Sequence, residues 1–284
     1  MTWNHGESLA NDPSITELLE RLPDRLYKFS GLSGDRLDWM KRLIVGCELY
    51  FATPSSFNDP LDCRVTARFE APAEVVQKHW LNVGLTQFPN ADPMIREARV
   101  RELVAESETA EGQARHAQQL IDILALNGTV CFAKDPTNVL LWSYYAQSHT
   151  GIAIEFRFDL DHYYAFATAL EAQRVLPFPV EVAYAETFPS INYYTSTTHE
   201  RLRGLLGTKA HAWKHEGEWR IVLANRSGYL SVPPGFIKAV ILGMRISPEH
   251  EATVRRWVTD RRPAVELRRV RHRPNSFQLE IVPA

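Results

Sequence analysis

Residues 152–158, Ile-Ala-Ile-Glu-Phe-Arg-Phe, alternate large apolar side chains with small or polar ones without a break. Successive side chains of a strand point to opposite faces, so Ile152, Ile154, Phe156 and Phe158 share one face and require a core to bury it. A chain carrying this segment has to build a sheet. Val180, Val182 and Tyr184 repeat the alternation, residues 218–223 read as another strand, and residues 26–29, 49–52 and 129–132 are short aromatic or β-branched runs of the same kind.

Helical patterns lie between them. Leu37, Met40 and Ile44 fall at i, i+3 and i+7, with Gly46 as a stop. Residues 73–126 read as helices, one opened by Asp92-Pro93, with a polar bend at 106–113, and are expected to form an insertion or lid. Asp135-Pro136-Thr137 is expected to cap a helix with Trp142, Tyr145 and His149 on one face, ended by Gly151. A further helix runs through Leu202, Leu205 and Leu206 toward Lys209 and Trp213. The chain closes with strand 239–242, a helix from Pro248 after Ser247, and strand 265–270, a β-α-β unit. Glu249 and Glu251 in the first turn of its helix, with Arg255 and Arg256 later, suit the helix dipole. The expected fold is therefore α+β: a mostly antiparallel, aromatic-rich sheet with flanking helices. It forms a single domain over 26–284, with the helical insertion at 73–126 and an N-terminal extension over 1–25.

With 32 basic and 34 acidic residues the formal charge is −2, so no global field draws the molecule to nucleic acid or an anionic membrane, and any such binding is local. Cys47, Cys63 and Cys131 are odd in number and contain no C-x-x-C pair, which argues against a disulfide framework or zinc knuckle and for a reducing compartment. The first residues lack a basic and then apolar leader, and no window approaches the ~18 apolar residues of a membrane span. A cytoplasmic location without membrane association is expected. The oligomeric state is not legible.

Two segments carry most of the chemistry. Residues 53–60, Thr-Pro-Ser-Ser-Phe-Asn-Asp-Pro, impose an ordered, non-regular loop that presents Asn58 and Asp59. In Glu216-Gly217-Glu218-Trp219-Arg220 the alternation puts Glu218 and Arg220 on one strand face, joined by Glu216 if the strand starts early. Each feature also has a structural reading. Glu218 and Arg220 pair across strands while Trp219 and Ile221 fill the core; Trp142, Tyr145 and His149 pack as a core stripe; Asn58 and Asp59 close a turn. His211 and His215 have helical spacing, but Ala212 stands where a zinc protease needs its glutamate, so no metal is expected. Neither Cys63 nor Ser143 sits in a nucleophile motif, and no P-loop or G-x-G-x-x-G occurs. Eight arginines between Arg255 and Arg273 crowd the last unit. They fit either a nucleic-acid-binding or defence-associated module without catalysis, or a solvated face and a charged edge strand.

The order of these motifs resembles a bacterial family catalogued as a domain of unknown function. Its marks are L-Y-K-F at 26–29, F-N-D-P at 57–60, W-S-x-Y-A-x3-H-x-G at 142–151 and E-x-E-W-R at 216–220, with Ile241-Leu242-Gly243 and Ser247-Pro248-Glu249 also matching. A more distant likeness is to the ADP-ribosyltransferase fold, in which an early strand, a middle aromatic motif and a late E-x-E strand surround NAD. That likeness implies an enzyme that cleaves NAD, its substrate, and transfers ADP-ribose to a protein or nucleic-acid acceptor. Glu218 would be the catalytic carboxylate and Glu216 would orient the acceptor. Tyr27, Lys28, Asn58, Asp59, Trp142, Ser143, Tyr145, His149 and Arg220 would surround the NAD. The early strand departs from the transferase pattern, having no histidine or arginine within Tyr-Lys, only Arg25 before it.

Overall fold

The computed structural model describes residues 17, 19–175 and 177–284. Much of the expected N-terminal extension therefore lies outside the described residues. Eight strands form one sheet: β1 (Arg25–Ser30), β2 (Gly128–Ala133), β3 (Ile152–Arg157), β4 (Pro177–Glu181), β5 (Glu218–Leu223), β6 (Ile237–Leu242), β7 (Glu266–His272) and β8 (Leu279–Pro283). Their order is β8-β7-β6-β3-β1-β2-β5-β4. Every described neighbouring pair is antiparallel except β6 and β7. Those two are joined through a helix, so the expected closing β-α-β unit is present and the fold is α+β.

The helices are α1 (Asp35–Ile44), α2 (Ala73–Gln87), α3 (Pro93–Ser107), α4 (Ala110–Leu124), α5 (Val139–Tyr144), α6 (Leu160–Glu171), α7 (Thr198–Leu206) and α8 (Pro248–Asp260). Ile152, Ile154, Phe156 and Phe158 are all buried, as their alternation requires, and share the main core with Leu26, Phe132, Trp219, Ile221, Ile44, Phe166 and Val254. Each such aliphatic or aromatic side chain contributes about 1.5–3 kcal/mol by leaving water. Glu155, on the other face of β3, is also buried and is held by Arg268 at 2.7 Å and Arg25 at 3.4 Å.

The three helices α2, α3 and α4 lie within residues 73–126, the stretch expected to be helical. Asp92 accepts from the Met94 N–H at the start of α3, and Thr109 caps α4 by accepting from the Gly112 N–H. Trp80 and Val100 seat the insertion on Tyr194, while Leu120 and Leu124 pack against Leu202, Leu205 and Leu206 of α7. Among the described residues no helix is long and apolar enough to cross a membrane.

One expected element is corrected. The helix following residue 135 runs only over α5, and its cap is Asn138, whose side chain accepts from the N–H groups of Leu140 and Leu141. Asp135 instead closes a turn onto Thr137. Gln147, Ser148 and His149 all have positive φ, so the chain coils out of the helix after Tyr145. Trp142, Tyr145 and His149 therefore do not form one helical stripe.

The sheet is nearly divided in two. β1 pairs with β3 over six residues and β2 with β5 over six, but β1 and β2 meet only at Tyr27 opposite Ala133. Further along β2 the place of β1 is taken by Ala52, which exchanges both main-chain hydrogen bonds with Thr129 at 2.9 and 2.7 Å. β1 is displaced and a split opens between residues 28–30 and 130–132. In an antiparallel strand alternate residues turn both N–H and C=O toward the same side. Each lip of the split therefore presents main-chain polar groups that no neighbouring strand satisfies.

Candidate functional site

A cavity of about 150 Å³ opens at this split. Tyr27, Lys28 and Phe29 line it from one lip, and Cys131, Phe132 and Ala133 from the other. Phe57 and Asn58 enter from the proline-bounded loop and Asp62 from just beyond it, Leu141 and Tyr145 from α5 and its cap, and Lys209, Glu216 and Glu218 close it.

The two glutamates are brought together by a tight turn. A 3-10 turn, His211–Glu216, ends at Gly217, whose φ of 52° is a left-handed conformation that suits glycine, and β5 starts at once with Glu218. Lys209, on the short strand Thr208–Ala210, lies between them, its Nζ 2.5 Å from Glu216 and 3.1 Å from Glu218. Two residues further along β5, Arg220 donates from Nε to Glu218 at 2.7 Å, from Nη2 to Asp62 at 2.6 Å, and from Nη1 to the Leu206 carbonyl at 3.0 Å. Tyr145 donates its hydroxyl to Glu216 at 2.7 Å, and the Tyr184 hydroxyl accepts from the Glu218 N–H at 2.8 Å. All five charged groups, Asp62, Lys209, Glu216, Glu218 and Arg220, are buried.

Their surroundings set their protonation. Burial alone would raise the Glu218 carboxyl, but Arg220 and Lys209 outweigh it and hold it at about 2. Glu216 is pushed upward by burial, which its bonds from Lys209 and Tyr145 offset only partly. Burial disfavours the Lys209 ammonium, yet Glu218 and Glu216 hold it well above the usual lysine range. Two carboxylates of the cluster are thus shifted in opposite directions, Glu218 downward and Glu216 upward. Lys28 is different. Burial lowers its amine, and among the described residues no ion pair reaches it. Burial also pushes the thiols of Cys131 and Cys63 up, Cys63 to about 12, so neither is an activated nucleophile.

Of the residues singled out in the sequence, Tyr27, Lys28, Asn58, Tyr145, Glu216 and Glu218 come together on this wall, with Arg220 directly behind it. Asp59 is turned away: it accepts from the Leu61 N–H at 2.8 Å and from Trp213 Nε1 at 2.7 Å. Trp142 is fully buried, donating from Nε1 to the Pro136 carbonyl and meeting Phe29 edge-on at 5.2 Å. Its other neighbour is the ring of His149, stacked at 6.1 Å, and Ser143 donates to the Val139 carbonyl with His149 Nε2 3.4 Å away. These three support the Phe29 wall from behind and do not offer a shelf to a ligand. Sequence reasoning missed Asp62, Lys209, Phe57 and Cys131. Lys209 had one signal: an interior strand bearing an uneven number of charges needs a further buried partner.

His211 faces Glu186 at 3.4 Å, His215 Nδ1 lies 3.1 Å from the Ala212 carbonyl, and among the described residues no group of three or more metal-binding side chains assembles. Residues 141–221 match the model of a family described as a protein of unknown function, DUF2971. That stretch carries Tyr145, Lys209, Glu216, Glu218 and Arg220 but neither β1 nor the loop bearing Asn58. No match to the chain was found among curated proteins, and none among solved structures.

Proposed function

We propose that this cavity is the site of an ADP-ribosyltransferase-like enzyme, which cleaves the nicotinamide–ribose bond of NAD and passes ADP-ribose to a macromolecular acceptor. The observation that carries the reading is the convergence of Tyr27, Tyr145, Glu216 and Glu218, from three separate segments, on one pocket where a sheet splits. Aromatic walls from Tyr27, Phe29, Phe57 and Phe132 suit a flat heteroaromatic ring, and the unpaired main-chain groups of the lips suit its amide.

In the proposed reaction the C1′–N bond breaks with its electron pair leaving on nicotinamide, which departs neutral. Positive charge develops on the ribose. A carboxylate already ionised and fixed by Arg220 and Lys209 stabilises that charge without having to reorganise, which is the role of Glu218. The acceptor then attacks C1′ and its proton passes to Glu216, whose raised affinity for protons fits a general base. Arg220, Asp62 and Lys209 act as positioning residues.

The nucleic-acid-binding module without catalysis is less well supported by its original feature, because the C-terminal arginines are largely engaged. Arg255 and Arg269 pair with Glu251, Arg268 with Glu266 and Glu155, Arg271 and Arg273 with Glu280, and Arg261 is buried against main-chain carbonyls. The test is nicotinamide release from NAD by the purified chain, resolved by chromatography. Glu218→Gln keeps the shape and removes the charge, and is expected to lower the rate by about 10²–10³-fold, as loss of one electrostatic stabiliser does. A wild-type chain that neither releases nicotinamide nor binds NAD in calorimetry overturns the proposal.

A further inference from the structure

Three cavities follow one another along the short strand Thr208–Ala210. The NAD-cleavage pocket proposed above shares Lys209 with a second, of about 160 Å³, lined also by Arg64 and Phe188. The second shares Thr208 with a third, of about 500 Å³, which holds Arg68 and Arg203. Arg64, Arg68 and Arg203 are exposed, and among the described residues none of them forms an ion pair with a carboxylate. They differ in this from the crowded C-terminal arginines.

Arg68 ends the strand Thr66–Arg68, which pairs in parallel with Ser190–Asn192, so Thr66 lies beside Ser190 and Arg68 beside Asn192. The groove floor is thus rich in hydroxyl and amide groups. Two carboxylates border it. Glu200 is occupied, accepting from the Thr197 N–H at 2.6 Å in the capping box of α7, and Glu186 faces His211. Phe188 lines the second cavity and is 51% exposed. Cationic side chains spaced along a polar groove, with an exposed aromatic ring among them, are the features that track phosphodiesters and stack bases of single strands.

We infer that the acceptor is a single-stranded nucleic acid, held along Arg64, Arg68 and Arg203 with a base against Phe188, and led past Thr208 and Lys209 to the carboxylates. The inference names the acceptor class of the proposed transferase and rests on that reading for the chemistry, though not for the binding.

The experiment is fluorescence anisotropy of a labelled mixed-sequence oligonucleotide, as RNA and as DNA, titrated with the full chain across a range of salt. Three phosphate contacts predict a log–log salt slope of about −2 for a single strand. The triple variant Arg64→Gln/Arg68→Gln/Arg203→Gln is expected to bind at least about tenfold more weakly and to flatten the slope, whereas Arg256→Gln on α8 leaves both unchanged. Should the triple variant misfold, Arg68→Gln and Arg203→Gln singly still report, each weakening binding about threefold. Absence of single-strand binding by the wild type, equal binding by the variants, or ADP-ribosylation of peptide in preference to oligonucleotide overturns the inference. Nicotinamide release by the wild type without any oligonucleotide reports separately on the NAD reading, so failure of one is distinguishable from failure of the other.

Discussion

Replacing Arg220 by methionine removes the guanidinium while keeping much of its volume, and so isolates what the buried charge contributes. Arg220 is fully buried and makes two bonds to Glu218, two to Asp62 and one to the Leu206 carbonyl. Without it Lys209 is the one cation left to the two buried carboxylates among the described residues, 3.1 Å from Glu218 and 3.9 Å from Asp62, and Asp62 also keeps its bond from the Cys63 N–H at 2.7 Å. Breaking a buried pair from one side costs about 3–5 kcal/mol, and the remaining ammonium places this case near the lower end. At about 2 °C per kcal/mol for a chain of this size, the melting temperature falls by about 6 °C. The pH dependence follows from the sign of the Glu218 shift. A carboxyl held at about 2 against an ordinary 4.5 contributes stability that is complete above 4.5 and lost as pH falls toward 2. In the Arg220→Met protein the carboxyl rises, protonates earlier and escapes part of the penalty, so the difference from wild type narrows between about pH 7 and about pH 4. Urea unfolding followed by tryptophan fluorescence measures this, with Trp219 buried next to the substitution as a reporter. A loss under about 1 kcal/mol at neutral pH, or a difference that does not change on acidification, would show that Arg220 is not the partner on which Glu218 depends.

Two further outcomes follow from neighbouring groups. Tyr145→Phe removes a hydroxyl that favours ionised Glu216, so the acidic limb of the proposed transfer should move to higher pH; an unchanged pH profile would rule out Glu216 as the base. His79, on α2 against the rings of Trp80, Tyr193 and Tyr194, is lowered to about 4 by burial, then by Arg201 and His116. Its neutral form therefore supports docking of the insertion fully above 6.5, and that support is lost as pH falls from 6.5 toward 4. Hydrogen exchange across residues 73–124, corrected for intrinsic rates, should accelerate on mild acidification in the wild type and less so in His79→Phe.

The parts of the fold that were legible rest on local, periodic signals. The alternation at 152–158 marked a core strand because its period matches the pleat, and Ser247-Pro248 with Glu249 and Glu251 marked a helix start through capping and charge. Asp92-Pro93 did the same for α3. The stretch after Trp142 misled because apolar spacing alone says nothing about Gln147, Ser148 and His149 entering left-handed backbone, which separates Tyr145 from His149. Within the site, Glu216, Glu218, Tyr27 and Tyr145 stood out as chemistry-bearing residues in marked motifs. Asp62 did not, because its partner Arg220 is 158 positions away and a single aspartate in a loop has an ordinary turn role. Lys209 fell in a three-residue strand too short to show a period.

Two features of this molecule are costly to the folded state, and they occur in one place. Five charged side chains are buried together, although a buried ion cluster is often no more stabilising than apolar packing of the same volume. Directly beside them the sheet opens, leaving main-chain groups along both lips that continued pairing of β1 with β2 would have satisfied. Ala52 keeps the split open by taking the place next to Thr129, and Gly151 lets β1 lie against the loop before β3, since a Cβ there would sit 2.1 Å from the Ser30 carbonyl oxygen. A fold selected for stability alone would close the strands and fill the gap with aliphatic side chains. An open, charged seam at the centre of a well-packed sheet suits the ligand proposed here, which brings its own ring, amide and developing positive charge, and this is the argument for proposing the chemistry at the seam rather than at the arginine-rich end.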